Sequence, residues 1–303
     1  MSGLAATAYG LGWRLVRLLP EAAAKTLFRA GADWAARRGG PGARRLRANL
    51  ARVVPQAGPE ELDALVREGL RSYARYWMET FRLPAMDVAA IHANVAANIT
   101  GAEYITAGLA EGNGVVIALT HSGNWDAAGT WLVREHGSFT TVVERLKPES
   151  LFEKFVAYRE SLGFEILPAE GGARMASVVM AERLRENRVV CLVGDRDLSP
   201  RGIPVTFFGQ PAQLPAGPAY LAARTGAVLL PAGVWFTDDG WAVRIHPPVP
   251  VGGVKGIPAA TQALADVFAA DIGSHPADWH MLQPVWTADK EAARAAAAGE
   301  SAR

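Results

Sequence analysis

Cysteine is almost missing: the 303 residues contain one, Cys191, inside the apolar run Val189–Val193. A lone thiol excludes a disulfide framework, and in such a run it reads as a small buried hydrophobe. Lysine is scarce beside Arg, Ala, Gly and Pro. An excess of one charge is lacking too. The formal net charge is +1, so nothing points to global nucleic-acid binding, and no nucleic-acid partner is expected. Residues 4–19 are apolar but short and broken by Arg14 and Arg17, which argues against a bilayer span. They also lack the order of a signal peptide. There is no G-x-S-x-G nucleophile elbow, no G-x-x-x-x-G-K-[ST] and no G-x-G-x-x-G after a strand. His275 and His280 lie five apart around Pro276, a spacing that suits neither a helical metal pair nor a finger. Both read as structural, and no metal site is expected.

What the chain has is apolar bulk, 50% of its residues, enough for a sizeable core. Its organising stretch runs from Gly114 to Asp126. Val115–Leu119 is an unbroken apolar run of the kind buried on both faces of a parallel sheet. Ser122 or Asn124 is placed to cap a following helix. His121 then stands where strand hands over to helix, at the strand end where open α/β sheets bind ligands. Asp126, one turn into the helix, is placed to fold back on the imidazole. A carboxylate on one ring nitrogen fixes the tautomer and leaves the other nitrogen as a base. The alternative is a first-turn acid favoured by the helix dipole alone.

Strand and helix alternate through the rest. Candidate strands are Val95–Ile99, Phe139–Glu144, Phe164–Leu167, Val189–Val193, Val205–Gly209 and Val228–Phe236, and Asp238-Asp239-Gly240 is a hairpin turn into Trp241–Ile245. Candidate helices span Pro41–Val53, Glu103–Ala110, Glu149–Leu162, Ala173–Arg185, Ala216–Thr225 and Ala259–Ile272, with another starting at Pro59. The expected fold is α/β: a single domain with a mostly parallel central sheet flanked by helices and an N-terminal amphipathic helical arm. We divide it into the arm (1–90, part of the same fold), the α/β core (91–287) and a flexible Ala-rich tail (288–303). The arm is basic. From Arg14 to Arg52, only Glu21 and Asp33 oppose its Arg and Lys residues. Helices of that kind bearing Leu, Phe and Trp read as lying in a membrane interface, or else as covering a sheet edge.

The missing enzymatic nucleophile fits an acyl donor that is already activated. A thioester expels a thiolate whose conjugate acid has a pKa of about 8.5, so an acceptor hydroxyl deprotonated by His121 can attack directly. Amides near Gly123 are candidates for the oxyanion. Arg159 falls on the apolar stripe of its helix, where a guanidinium must find an anion: a phosphate or a structural carboxylate. Glu144 and Asp195-Arg196-Asp197 follow strands on the same edge, as ligand contacts or as loop-bracing pairs.

His121-Ser122-Gly123-Asn124-Trp125-Asp126 resembles the H-x-x-x-x-D motif of glycerolipid-type acyltransferases, in the form carried by their lipid A late-acyltransferase branch. Asp195–Leu198, Arg201-Gly202, Phe207–Gly209, Leu214–Ala219 and Pro276–Leu282 are similar to the branch's later blocks, in order. Val143–Pro148 is most similar to members that acylate phosphatidylinositol mannosides. The resemblance implies transfer of a long-chain fatty acyl group, palmitoyl expected, from acyl-CoA to a mannose hydroxyl of an anionic glycolipid. It implies His121 as base with Asp126 as partner, Glu144 on the sugar and Arg159 on the phosphate, with Asp195, Arg196 and Asn124 also substrate-binding. Acyl-CoA is a co-substrate and no cofactor is implied. Attachment would be peripheral, on the cytoplasmic face of the plasma membrane. The alternatives are a lipid A-type acceptor, a non-catalytic lipid-binding protein and, more weakly, a thioesterase. The oligomeric state is left open.

Overall fold

The computed structural model describes residues 16–144, 149–169, 172, 174–197 and 202–301. Arg14, the segment 145–148, Leu198 and Arg201 lie outside them. Three helices stand near the start of the described chain: α1 (Glu21–Arg38), α2 (Pro41–Val53) and α3 (Pro59–Arg82), with α3 packed on both of the others. Pro at the first position starts α2 and α3, and Gly39 in the left-handed region (φ 59°) ends α1. Leu46, Leu50, Leu62, Val66 and Leu70 close a small core between them. No described helix is long and apolar enough to cross a membrane.

The centre is a seven-stranded sheet in the order β1-β9-β8-β2-β5-β3-β4. Its parallel heart is β2 (Val115–Leu119), β3 (Phe139–Val143), β4 (Glu165–Pro168), β5 (Val189–Val193) and β8 (Val228–Phe236). β9 (Trp241–Ile245) returns antiparallel to β8, and β1 (Ile99–Thr100) pairs with β9. β2 is buried at every position, as its apolar run requires. One face carries α4 (Val88–Ala97), α5 (Glu103–Ala110), α6 (Trp125–His136) and α7 (Glu149–Ser161), whose core includes Ile105, Leu132 and Tyr158. The other carries α8 (Ala176–Arg185), α9 (Gly217–Thr225) and α10 (Ile257–Ser274), packed through Leu184, Leu221 and Phe268.

Two local expectations are corrected. Val95 lies in α4, because Asp87 caps that helix by accepting from Ala89 N at 2.8 Å; only Ile99 and Thr100 are strand. Phe208 and Gly209 form the turn of a separate hairpin, β6 (Ile203–Phe207) with β7 (Gln210–Leu214). The described chain ends in α11 (Thr287–Ser301), whose first-turn Asp289 lies 2.9 Å from Arg45 and from Arg52.

Candidate active site

His121 stands two residues past the end of β2, at the carboxyl edge of the sheet. The chain must turn sharply there to enter α6, and Gly123 makes the turn with φ 57°. A Cβ on Gly123 would come within 2.8 Å of Val234 O, so the turn lies against β8 only with glycine. Asn124 then caps α6, its Oδ1 accepting from Asp126 N and Ala127 N, both at 3.1 Å. Its Nδ2 donates to Glu79 Oε2 at 2.7 Å, and Glu79 also takes Trp241 Nε1 and Arg75 Nε, each at 2.7 Å. Both ends of this fully buried amide are therefore committed within the protein. Asn124→Ala removes the cap and leaves Glu79 short of a donor. The expected loss is about 1–3 kcal/mol in urea unfolding, against no measurable change if the cap is idle.

The sheet register supplies the carboxylate that meets His121. Leu119 pairs with Val193, and Gly194 N extends the ladder to Leu119 O at 2.7 Å. Two residues on, Asp195 stands beside His121. Asp195 Oδ1 lies 2.6 Å from His121 Nδ1, and Oδ2 accepts from His121 N at 3.0 Å and from Trp279 Nε1 at 2.8 Å. Burial alone would raise this carboxyl's pKa. The facing imidazole and the three N–H groups outweigh it and hold the pKa below the usual aspartate value. An ionised Asp195 fixes the proton on Nδ1 and frees Nε2 as the basic nitrogen.

Asp126 is not the partner of His121. Its carboxylate takes Arg159 bidentately, Nε to Oδ1 at 2.7 Å and Nη2 to Oδ2 at 3.0 Å. Asp126 is fully buried, and the guanidinium lies 4.4 Å over the Trp125 ring. Arg159 thus has its anion inside the protein, where the spacing had also allowed a substrate phosphate. Asp126's charge and hydrogen bonds keep Arg159 protonated against its burial. The amides near Gly123 are also occupied: Ser122 N donates to Thr120 O at 2.8 Å and Gly123 N to Asp278 O at 3.0 Å. These two amides are therefore not free for the oxyanion role expected of the amides near Gly123.

Glu144 and Arg196 leave the ends of β3 and β5 and form an ion pair at 2.8 Å. Glu144 is exposed, whereas Arg196 is largely covered and its buried Nε has no hydrogen-bond partner. The pair stands at the mouth of a cavity of about 400 Å³. His121, Trp125 and Arg159 line it near the sheet edge, and its depths are apolar. Cys191 lines it too, its thiol pushed well above the ordinary range by burial, which keeps it protonated and inert.

One neighbour read as purely structural stands at the site. His280 donates its backbone N–H to His121 O at 2.8 Å, and its Nε2 lies 2.8 Å from Ser72 Oγ. Ser72 in turn donates to Asp278 Oδ1 at 2.6 Å. Burial first, and His121 second, push the His280 imidazole down to about 3. The unfolded chain takes up this proton near 6.5, while the folded chain refuses it until about 3. Stability from His280 is therefore whole above the unfolded value and is lost as pH falls, at up to about 1.4 kcal/mol per pH unit. His280→Gln, which never titrates, should show a shallower fall in urea stability than wild type between about pH 6 and pH 4. Equal slopes would contradict a buried neutral imidazole.

The chain's relatives match it along nearly its whole length. A protein from Mycolicibacterium smegmatis named phosphatidylinositol mannoside acyltransferase is 53% identical over 291 residues, covering 96% of this chain and 94% of that one. A protein of the same name from Mycobacterium tuberculosis is 52% identical, covering 95% of this chain and 90% of that one. The profile of the bacterial lipid A biosynthesis acyltransferases matches residues 4–288. The chain is a member of that acyltransferase family.

Proposed function

We propose that this protein transfers a long-chain acyl group, palmitoyl expected, from acyl-CoA to a mannose hydroxyl of a phosphatidylinositol mannoside, with His121 as the general base. The observation that carries the reading is the His121–Asp195 pair at the mouth of a deep apolar cavity. His121 Nε2 takes the proton of the acceptor hydroxyl as its oxygen attacks the thioester carbonyl carbon. A C–O bond forms, the C–S bond breaks, and the thiolate leaves and recovers the proton from the imidazolium. Asp195 stabilises that imidazolium, help worth roughly 10² to 10⁴ in rate. The choice of acceptor is supported by the relatives' names and by the charged pair at the mouth. There the Arg196 guanidinium offers its charge to a glycolipid phosphate, and Glu144 an acceptor to sugar hydroxyls.

The membrane supplies both lipids, and the arm suits attachment to it. Leu27 and Trp34, seven residues apart on α1, are 57% and 56% exposed, and Leu18 is 81% exposed. Exposed Arg29, Arg37 and Arg38 flank them. Peripheral binding to the cytoplasmic face of the plasma membrane is the expected location. Leu27→Ala with Trp34→Ala should weaken sedimentation with anionic vesicles; unchanged binding would remove α1 from the contact.

The function is tested by turnover of acyl-CoA against purified phosphatidylinositol mannosides, a lipid A-type acceptor and no acceptor, with the product mapped by mass spectrometry. Acylated mannose is expected. Free fatty acid released at the same rate without acceptor would make the protein a thioesterase, and binding without turnover a carrier.

A further inference from the structure

The cavity below His121 is layered by the sheet register. Leu119 and Val193 face each other in the first layer, Ile117, Cys191 and Thr141 in the second, and Val115, Val189 and Phe139 in the third. The first two layers line the cavity, but of the third only Phe139 does. From His121 to that third layer is six residues of strand, about 20 Å at roughly 3.3 Å per residue. That is the length of a long extended acyl chain.

Phe139 is not a loose end. Its ring packs on Phe164 with centroids 4.6 Å apart, and both rings tuck under α6 at Gly129. A Cβ on Gly129 would stand 2.7 Å from Phe164 Cζ and 3.0 Å from Phe139 Cζ. The helix therefore carries glycine where the aromatic pair needs its space, and the pair closes the cavity from below. The cavity also reaches sideways to Val243 and Ile245 on β9. That branch turns across the strands, whereas the path from His121 through Leu119 and Cys191 to Phe139 runs along them.

We infer that the Phe139–Phe164 pair, seated under Gly129, is the stop that sets the longest acyl chain this site accepts. The inference rests on the acyltransferase reading above and adds its specificity determinant. An acyl chain gains affinity by about fourfold per methylene buried. The gain ends when the terminal methyl meets Phe139, since the rings behind it are close-packed and cannot yield.

The test is direct binding, read apart from catalysis. Saturated free fatty acids of increasing length are titrated against the full chain, following the fluorescence of Trp125 and Trp131, which line the cavity. The same lengths are then offered as acyl-CoA donors in competition. In wild type, affinity should climb with length and then level off. Phe139→Ala should let the climb continue for about two more carbons, a gain of roughly tenfold or more for the longest chain. Cys191→Leu, which narrows the second layer, should level off earlier and lower the preferred donor length. Should Phe139→Ala fold poorly, judged by circular dichroism, Phe139→Leu and Cys191→Leu carry the test. A length limit unmoved in these variants, or one moved by Ile245→Ala instead, overturns the inference. No acyl transfer by wild type, with the length limits in binding still shifting between the variants, would count against the acyltransferase reading and leave the stop standing.

Discussion

His121→Ala is expected to leave only a residual rate of acyl transfer, and Asp195→Asn to lower kcat by about 10³- to 10⁴-fold while the protein stays folded. Asparagine keeps the shape of Asp195 but not its charge, so Nδ1 of His121 is no longer fixed as a donor and the imidazolium loses its counter-charge. Trp279 Nε1 and His121 N still find an oxygen on the asparagine, which is why the fold should survive. The measurement is single-turnover acyl transfer at saturating donor, with thermal unfolding recorded in parallel. A kcat within tenfold of wild type for Asp195→Asn would remove Asp195 from the base.

Asp126→Ala has the opposite profile. It strands the Arg159 guanidinium, 7% exposed, between Trp125 and Phe155 without a counter-charge. Breaking a buried pair by removing one member costs about 3–5 kcal/mol, a large part of a typical domain's stability. Replacing both members with apolar groups of similar volume, Asp126→Leu with Arg159→Met, should recover most of that loss. Its kcat should fall less than that of Asp195→Asn. If Asp126→Ala kept wild-type stability and lost only kcat, Asp126 would belong to the chemistry rather than to the fold.

Much of the fold was legible in the sequence because its signals are local. The apolar run of β2, Pro41 and Pro59 at helix starts and the Asp238-Asp239-Gly240 turn fix their elements without tertiary help. Val95 was misread because a run of alanine and valine favours strand or helix equally until Asp87 caps the helix. The ion pairs of Asp289 with Arg45 and Arg52 join parts of the chain too far apart for local pattern to show.

At the site, the position of His121 followed from the strand-to-helix turn, but its partner did not. Asp126 is near in sequence, yet the helix carries its carboxylate to Arg159 on α7. Asp195 is 74 residues away and becomes the neighbour only because β5 lies beside β2. Strand order is not written in local pattern, so proximity along the chain pointed to the wrong acid. Asn124 carries the donors and acceptors of a ligand contact, and only its fully buried bonds show that the fold has used them. The block Pro276–Leu282 carries His280, but its spacing from His275 does not place it at the site, which it reaches through a backbone bond to His121.

The most direct test of the base is a double-mutant cycle on single-turnover acyl transfer. It compares His121→Ala, Asp195→Asn and the double variant, each checked for folding. Asp195 acts only through the imidazole, so the double variant should be no slower than His121→Ala alone. Losses that multiply would mean that the two side chains act independently and that His121 is not a base braced by Asp195.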